Sequence, residues 1–222
     1  VQTDSLTLSL IAGGLGGVGL ALIHALLAVT LRVDQTVSGL SLVIVGGGLS
    51  AYIGSSGEPS LLRVPNGVDV NPLFPQVMRD IPGFGPIVFG HDPIVYLAMV
   101  AAAGAAYFLY RTPSGLALRA VGEDPAAADS AGLNVVRIRY AATAVGGFGA
   151  GIGGAYLTLA VLGTWQNGVT AGLGWIAVAL VILAGWRPGL ALIGAYVFGG
   201  LRGLSFTLQL AGVDIPSDFL AM

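Results

Sequence analysis

The chain has 222 residues, of which 55% are hydrophobic and only 9% charged, and its mean hydropathy of +0.86 excludes an ordinary soluble domain and points to a polytopic membrane protein. A formal net charge of −2 leaves no basic patch for nucleic acid, and the absence of cysteine excludes disulfides, thiolate metal sites and cysteine nucleophiles. All nine basic residues are arginine, so there is no Walker A lysine, and any ATP hydrolysis that drives this chain must occur on another subunit.

A bilayer-crossing helix needs about 20 mainly apolar residues. Six stretches are candidates: 5–31, 37–53, 93–110, 138–162, 171–186 and 189–211. The fifth is short for a straight span, which predicts a broken or partly re-entrant segment. Glycine is abundant inside these runs, and the pairs Gly13/Gly17, Gly147/Gly151, Gly149/Gly153 and Gly199/Gly203 repeat the four-residue spacing that lets helices pack closely in lipid. Residues 1–222 therefore read as one all-α transmembrane bundle of about six spans.

Arginine placement sets the orientation, because basic residues near helix ends favour the cytoplasmic side. With the link 31–37 inside, Arg32, Arg111, Arg119, Arg137, Arg139 and Arg187 fall inside, against Arg63 and Arg79 outside. Residues 54–92, with their prolines, Asn66, Asn71 and four acidic side chains, then form an irregular extracytoplasmic loop. The amino terminus also falls outside with neither an initiating Met nor a signal peptide, from which helices upstream of this chain are expected.

The inside loop 111–137 is the most informative segment. Pro113 ends the third span. Ser114 is expected to cap a short helix from Gly115 to Val121 that Gly122 terminates. Asp124 is expected to cap a second helix with Pro125 at its first position, 126–131 as its body and Gly132 just beyond its end. Two capped short helices make a rigid projection that offers Arg119, Glu123, Asp124 and Asp129 to a docking partner. The other reading is an interfacial hairpin that only stabilises the flanking spans.

Further polar residues carry two readings each. Arg202 sits about 20 Å up the sixth span at ~1.5 Å per residue, which suits either a pathway residue or an arginine that snorkels to the outer surface. His24 is roughly 10 Å into its span and reads as a hydrogen-bonded helix contact or, with Arg202 and Gln209, as pathway lining. Neither His24 nor His91 has metal-ligand spacing, so no metal is assigned. Trp165, Trp175 and Trp186 read as interfacial anchors, although Trp165 with Gln166 and Asn167 also has solute-recognising chemistry. The serines lack any arrangement of a base, which leaves little support for an intramembrane protease.

The run Gly-Leu-Ala-Leu-Arg-Ala-Val-Gly-Glu-Asp-Pro-Ala-Ala-Ala-Asp-Ser-Ala-Gly-Leu at 115–133 resembles the cytoplasmic coupling loop of bacterial ABC permeases for simple sugars, nucleosides and branched-chain amino acids. The segments 24–40, 81–89, 172–180 and Ile215-Pro-Ser at 215–217 are similar to further signatures of that family and favour its nucleoside and simple-sugar branch. The resemblance implies a multi-pass subunit of the bacterial cytoplasmic membrane, without an ATPase site or cofactor of its own. It also implies partners: an ATP-binding cassette subunit, a second permease subunit in a homo- or heterodimer, and an extracytoplasmic solute-binding protein. Under it, Ser114, Gly115, Arg119, Gly122, Glu123, Asp124, Pro125, Asp129 and Gly132 form the coupling loop. Family members are longer than this chain, which implies missing segments on both sides. The competing expectations are a branched-chain amino acid permease, an ion-coupled secondary carrier, for which the apolar spans lack the usual carboxylates, and a non-transporting membrane scaffold.

Overall fold

The computed structural model describes residues 6–56, 72–81, 85–163, 165–168, 170 and 172–210. The proline-serine motif at 215–217 and most of the expected extracytoplasmic loop, including Asn66 and Asn71, lie outside the described residues. Helix α1 spans Leu6–Ala25 and continues into a π turn over Leu26–Thr30. Helix α2 follows at Gln35–Ser56, and two short helices come next, α3 at Gln76–Arg79 and α4 at Gly85–Phe89. Helix α5 covers Pro93–Arg111, α6 Pro113–Glu123 and α7 Pro125–Ser130. Helix α8 spans Val135–Tyr156 with a second π turn at Leu157–Val161, and α9 (Leu173–Leu183) and α10 (Pro188–Leu210) close the series. No described residue is in a strand.

Side-chain caps decide where the long helices begin. The Asp34 carboxylate accepts from the backbone N–H of Thr36 (2.9 Å) and Val37 (3.0 Å), so α2 starts at Gln35, before the first apolar residue of the predicted span. Asp92 does the same for Ile94 and Val95, each at 3.0 Å, ahead of Pro93 at the first position of α5. Two short helices within 72–92 correct the expectation that this whole region is irregular. There the ring of Phe74 stacks edge-on against Phe89 (5.0 Å between centroids) and Tyr96 (5.4 Å).

Four helices have the length and apolar character to cross a bilayer: Leu6–Thr30, Gln35–Ser55, Pro93–Arg111 and Val135–Val161. The fifth candidate segment, expected to be short for a straight span, forms α9. Its 11 residues reach about 16 Å, half of the ~30 Å hydrocarbon layer. Glycine sets both ends: Gly172 precedes the helix at φ 84°, and Gly185 (φ 56°) with Trp186 (φ 60°) turns the chain beyond it. Helix α10 has 23 residues, of which Pro188–Leu201 forms the described apolar portion.

The chain divides into two compact units, residues 1–96 with 109–171 and residues 97–108 with 172–222. In the second unit α9 and α10 form a hairpin, and the Tyr196 hydroxyl donates to Met99 Sδ at 3.7 Å. The first unit is built on an antiparallel contact between α1 and α8. A Cβ placed on Gly17 would lie 2.1 Å from the Gly147 carbonyl oxygen, one on Gly147 2.3 Å from Ala21 Cβ, one on Gly151 2.2 Å from the Gly13 carbonyl oxygen and one on Gly13 2.6 Å from Ala155 Cβ. Two small-residue ladders, Gly13-Gly17-Ala21 and Gly147-Gly151-Ala155, thus interlock with no room for a side chain. Gly149, Gly153, Gly199 and Gly203 share the spacing but face open space. Large apolar side chains such as Ile44, Val145 and Leu183 are more than 70% exposed, which is the outward-facing surface of a multi-pass membrane protein.

Two substitutions on opposite faces of α8, two residues apart, test this contact. Gly151→Ala is expected to destabilise the purified subunit in detergent by about 1–3 kcal/mol through overpacking. Gly149→Ala, which meets nothing, is expected to leave stability unchanged or raise it by up to about 1 kcal/mol through helix propensity. Thermal unfolding midpoints of the two variants check the pair.

Candidate functional site

Two short helices, α6 and α7, project between α5 and α8, and their boundaries differ from expectation for reasons of hydrogen bonding. Thr112 caps α6 in place of Ser114: its hydroxyl oxygen accepts from Gly115 N–H at 3.0 Å, and Pro113 takes the first helical position. Ser114 is an exposed first-turn residue. Gly122 does not end the helix, because α6 continues through it to Glu123 and stops where Asp124 turns to extended geometry. Asp124 then caps α7, its carboxylate accepting from Ala126 (2.9 Å) and Ala127 (3.1 Å), with Pro125 behind it. Gly132, at φ 86°, ends α7: its N–H donates to Asp129 O and that of Leu133 to Ala128 O, satisfying carbonyls that would otherwise lack partners. Asn134, which the sequence reading passed over, accepts from Arg137 N–H at 2.9 Å and starts α8.

The projection is anchored on one side and open on the other. Gly115, Val121 and Ala128 are buried, and α6 and α7 pack on each other and on α8. Arg119, Glu123, Asp124 and Asp129 are on the exposed side. The Arg119 guanidinium lies 5.1 Å from the centre of the Tyr110 ring, a cation–π contact that holds its charge at the end of α5. A single residue, Thr112, separates α5 from α6. The geometry therefore presents a rigid face with one placed cation and three carboxylates, one of them committed to a cap.

Behind α6 lies a cleft of about 300 Å³ whose walls include His24, Gln35, Val121, Gly122, Arg139 and Thr143. Between α1, α2 and α8 runs an apolar groove of about 550 Å³, which also touches His24 and Thr143. His24 Nδ1 is 3.0 Å from Ser38 Oγ, and Ser38 is only 2% exposed, so the pair ties α1 to α2. Thr30 Oγ1 and the Tyr140 hydroxyl share a 2.6 Å hydrogen bond that ties the first π turn to α8. At the other end of α8, the Tyr156 hydroxyl donates to the Asp92 carboxylate, joining α8 to the cap of α5.

The remaining candidates are scattered. Trp165 Nε1 donates to Ser50 Oγ at 3.3 Å, and its indole covers Gly54. Trp175 and Trp186 are well exposed. Arg202 and Gln209 are positions on α10, and their side chains lie outside the described residues. Both positions belong to the second unit, whereas His24 belongs to the first. Ser38, Thr112, Asn134 and Tyr140 were missed in the sequence because each is defined by a partner. Only Thr112 and Asn134 carried a local signal, as cap-type residues just before a helical run.

Comparison with known proteins agrees with this architecture. Residues 1–216 match the family model described as the branched-chain amino acid transport system permease component. The chain is 41% identical over 194 residues to a Haloferax volcanii protein named "Putative glucose ABC transporter permease protein TsgC13", covering 87% of this chain and 58% of that one. It is 32% identical to the guanosine ABC transporter permease protein NupQ of Bacillus subtilis, covering 97% of this chain and 68% of the relative. It is 34% identical to the nucleoside ABC transporter permease protein NupC of Lactococcus lactis, with the same two coverages of 97% and 68%. The chain thus spans between 58% and 68% of the length of these relatives. No solved structure matches it significantly. With the match running over nearly all of its length, the chain belongs to the ABC transporter permeases of the branched-chain amino acid transport system permease component family.

Proposed function

We propose that this chain forms part of the membrane subunit of an ATP-driven importer for nucleosides or simple sugars in the bacterial cytoplasmic membrane. The observation that carries the reading is the capped α6–α7 projection, which supplies a stiff mechanical connection between a cytoplasmic partner and two spans. Residues 111–137 face the cytoplasm in this reading, and residues 54–92 face outward toward a solute-binding protein. The spans contain Arg202 and His24 but no carboxylate in a helix interior, which supports ATP coupling over an ion-driven carrier.

The mechanism follows from connectivity. Closure of a partnered pair of ATP-binding subunits presses on the exposed side of α6 and α7. A floppy loop would absorb that displacement. Here Thr112 links α6 to α5 without slack, and the Asn134 cap joins the projection to α8. Helix α8 in turn carries α1 through the interlocked glycines, so a push on α6 moves spans and changes access to the pathway between subunits. Arg119 and Asp129 are the docking charges, and Glu123 extends the same face. Arg202 and Gln209 are the candidates to line the route, since His24 is held against Ser38 between α1 and α2. The names of the relatives favour a nucleoside or a sugar, while the family description keeps a branched-chain amino acid as the second solute class to be tried.

Full-length protein reconstituted with its ATPase and binding protein is expected to accumulate labelled nucleoside or sugar only with ATP. Uptake that persists without the ATPase, or that stops when a proton or sodium gradient is dissipated, overturns the reading. Gly122→Pro removes a hydrogen bond inside α6, where proline costs about 3 kcal/mol. It is expected to leave membrane insertion intact and to lower solute-stimulated ATP hydrolysis at least tenfold. Arg119→Glu reverses the placed charge and is expected to weaken ATPase association without altering the helix content seen by circular dichroism. Asp124→Ala removes both cap bonds of α7 and is expected to lower stability by about 1 kcal/mol, with a smaller loss of coupling than Gly122→Pro.

A further inference from the structure

The polar cleft behind α6 and the apolar groove between α1, α2 and α8 adjoin, because His24 and Thr143 belong to the walls of both. They differ sharply in chemistry. The groove is lined by glycine, alanine and leucine apart from those two residues. The cleft holds Arg139, Gln35 and His24 and contains no aspartate or glutamate in its walls. Among the described residues no carboxylate forms an ion pair with Arg139. The carboxylates of Asp34 and Asp124, which neighbour cleft residues in the chain, are committed to capping α2 and α7, and Glu123 is on the exposed side of α6. Arg139 is partly buried, and a guanidinium in that position gains most from an anion with paired oxygens, such as a phosphate.

We propose that the adjoining cleft and groove together form a binding site for one anionic phospholipid, with its phosphate against Arg139 and an acyl chain lying along α1 and α8. Charge complementarity selects the headgroup, and the apolar groove distinguishes a lipid from a free phosphate or a nucleotide. The groove walls include Gly17 to His24 on α1 and Thr143 to Gly151 on α8, a stretch of about two turns along each helix. The two ends are also ordered correctly: Arg139 lies in the second turn of α8, beside the projection, whereas Gly151 lies three turns further into the span. Because Val121 and Gly122 form part of the cleft wall, the bound headgroup braces the inner side of α6.

Native mass spectrometry of the purified full-length subunit, titrated with phosphatidylglycerol, phosphatidylcholine and water-soluble glycerophosphate, tests the site. One molecule of phosphatidylglycerol is expected to be retained preferentially, with glycerophosphate unable to compete. Arg139→Gln is expected to weaken retention about fivefold, the effect of one arginine on an anionic headgroup. Arg137→Gln, at an exposed neighbour outside both cavities, leaves it unchanged. Gly146→Leu adds a side chain to the groove where the backbone has open space and is expected to reduce phosphatidylglycerol binding at least fivefold in a protein that still folds. The proposal is overturned by equal loss in the Arg137 and Arg139 variants, by competition from glycerophosphate, or by unchanged binding in Gly146→Leu, which would mean that another part of the full-length protein covers the groove.

Discussion

The contact between α1 and α8 is the constraint from which the rest of the first unit follows. In a bilayer the surrounding lipid is as apolar as the helices, so burial of leucine does not hold two spans together, and close backbone approach must do so instead. Gly13 and Gly17 on one helix meet Gly147 and Gly151 on the other, with Ala21 and Ala155 at the two ends of the ladder. The fit is one of backbone against backbone. It fixes the register of two spans that are separated by more than a hundred residues in the chain.

Around this contact the polar groups are few and each has a structural task. His24 with Ser38 ties α1 to α2, Thr30 with Tyr140 ties the π turn to α8, and Tyr156 with Asp92 ties α8 to the start of α5. A hydrogen bond between helices in an apolar environment has little competition from water, so these three links define orientation at small cost in apolar surface. Two of them lie beside π turns, at Leu26–Thr30 and Leu157–Val161. There the widened backbone rotates the last turn of each long helix relative to the rest.

The projection formed by α6 and α7 stiffens through the same economy. Three caps, from Thr112, Asp124 and Asn134, satisfy backbone groups at the starts of three consecutive helices within a short stretch of chain. Each cap replaces a flexible linker with a defined turn. The load path proposed for ATP coupling therefore runs through helices and capped corners from Arg119 to the glycine ladder.

The sequence already carries the membrane class, the all-helical fold and the presence of the α6–α7 projection, because apolar run length, small-residue spacing and cap residues are local properties of the chain. It placed Asp124, Pro125 and Gly132 in their turns for the same reason. It misassigned the cap of α6, since Ser114 and Thr112 are both good capping residues and only the helical position taken by Pro113 separates them. Tertiary structure alone decided which of four equivalent glycine pairs makes a helix contact, because spacing along one helix says nothing about the face that a second helix covers. It also decided that His24 meets Ser38, and that Arg139 lines a cleft that shares two wall residues with an apolar groove. Those are relations between elements distant in sequence, and they exist only once the helices are packed.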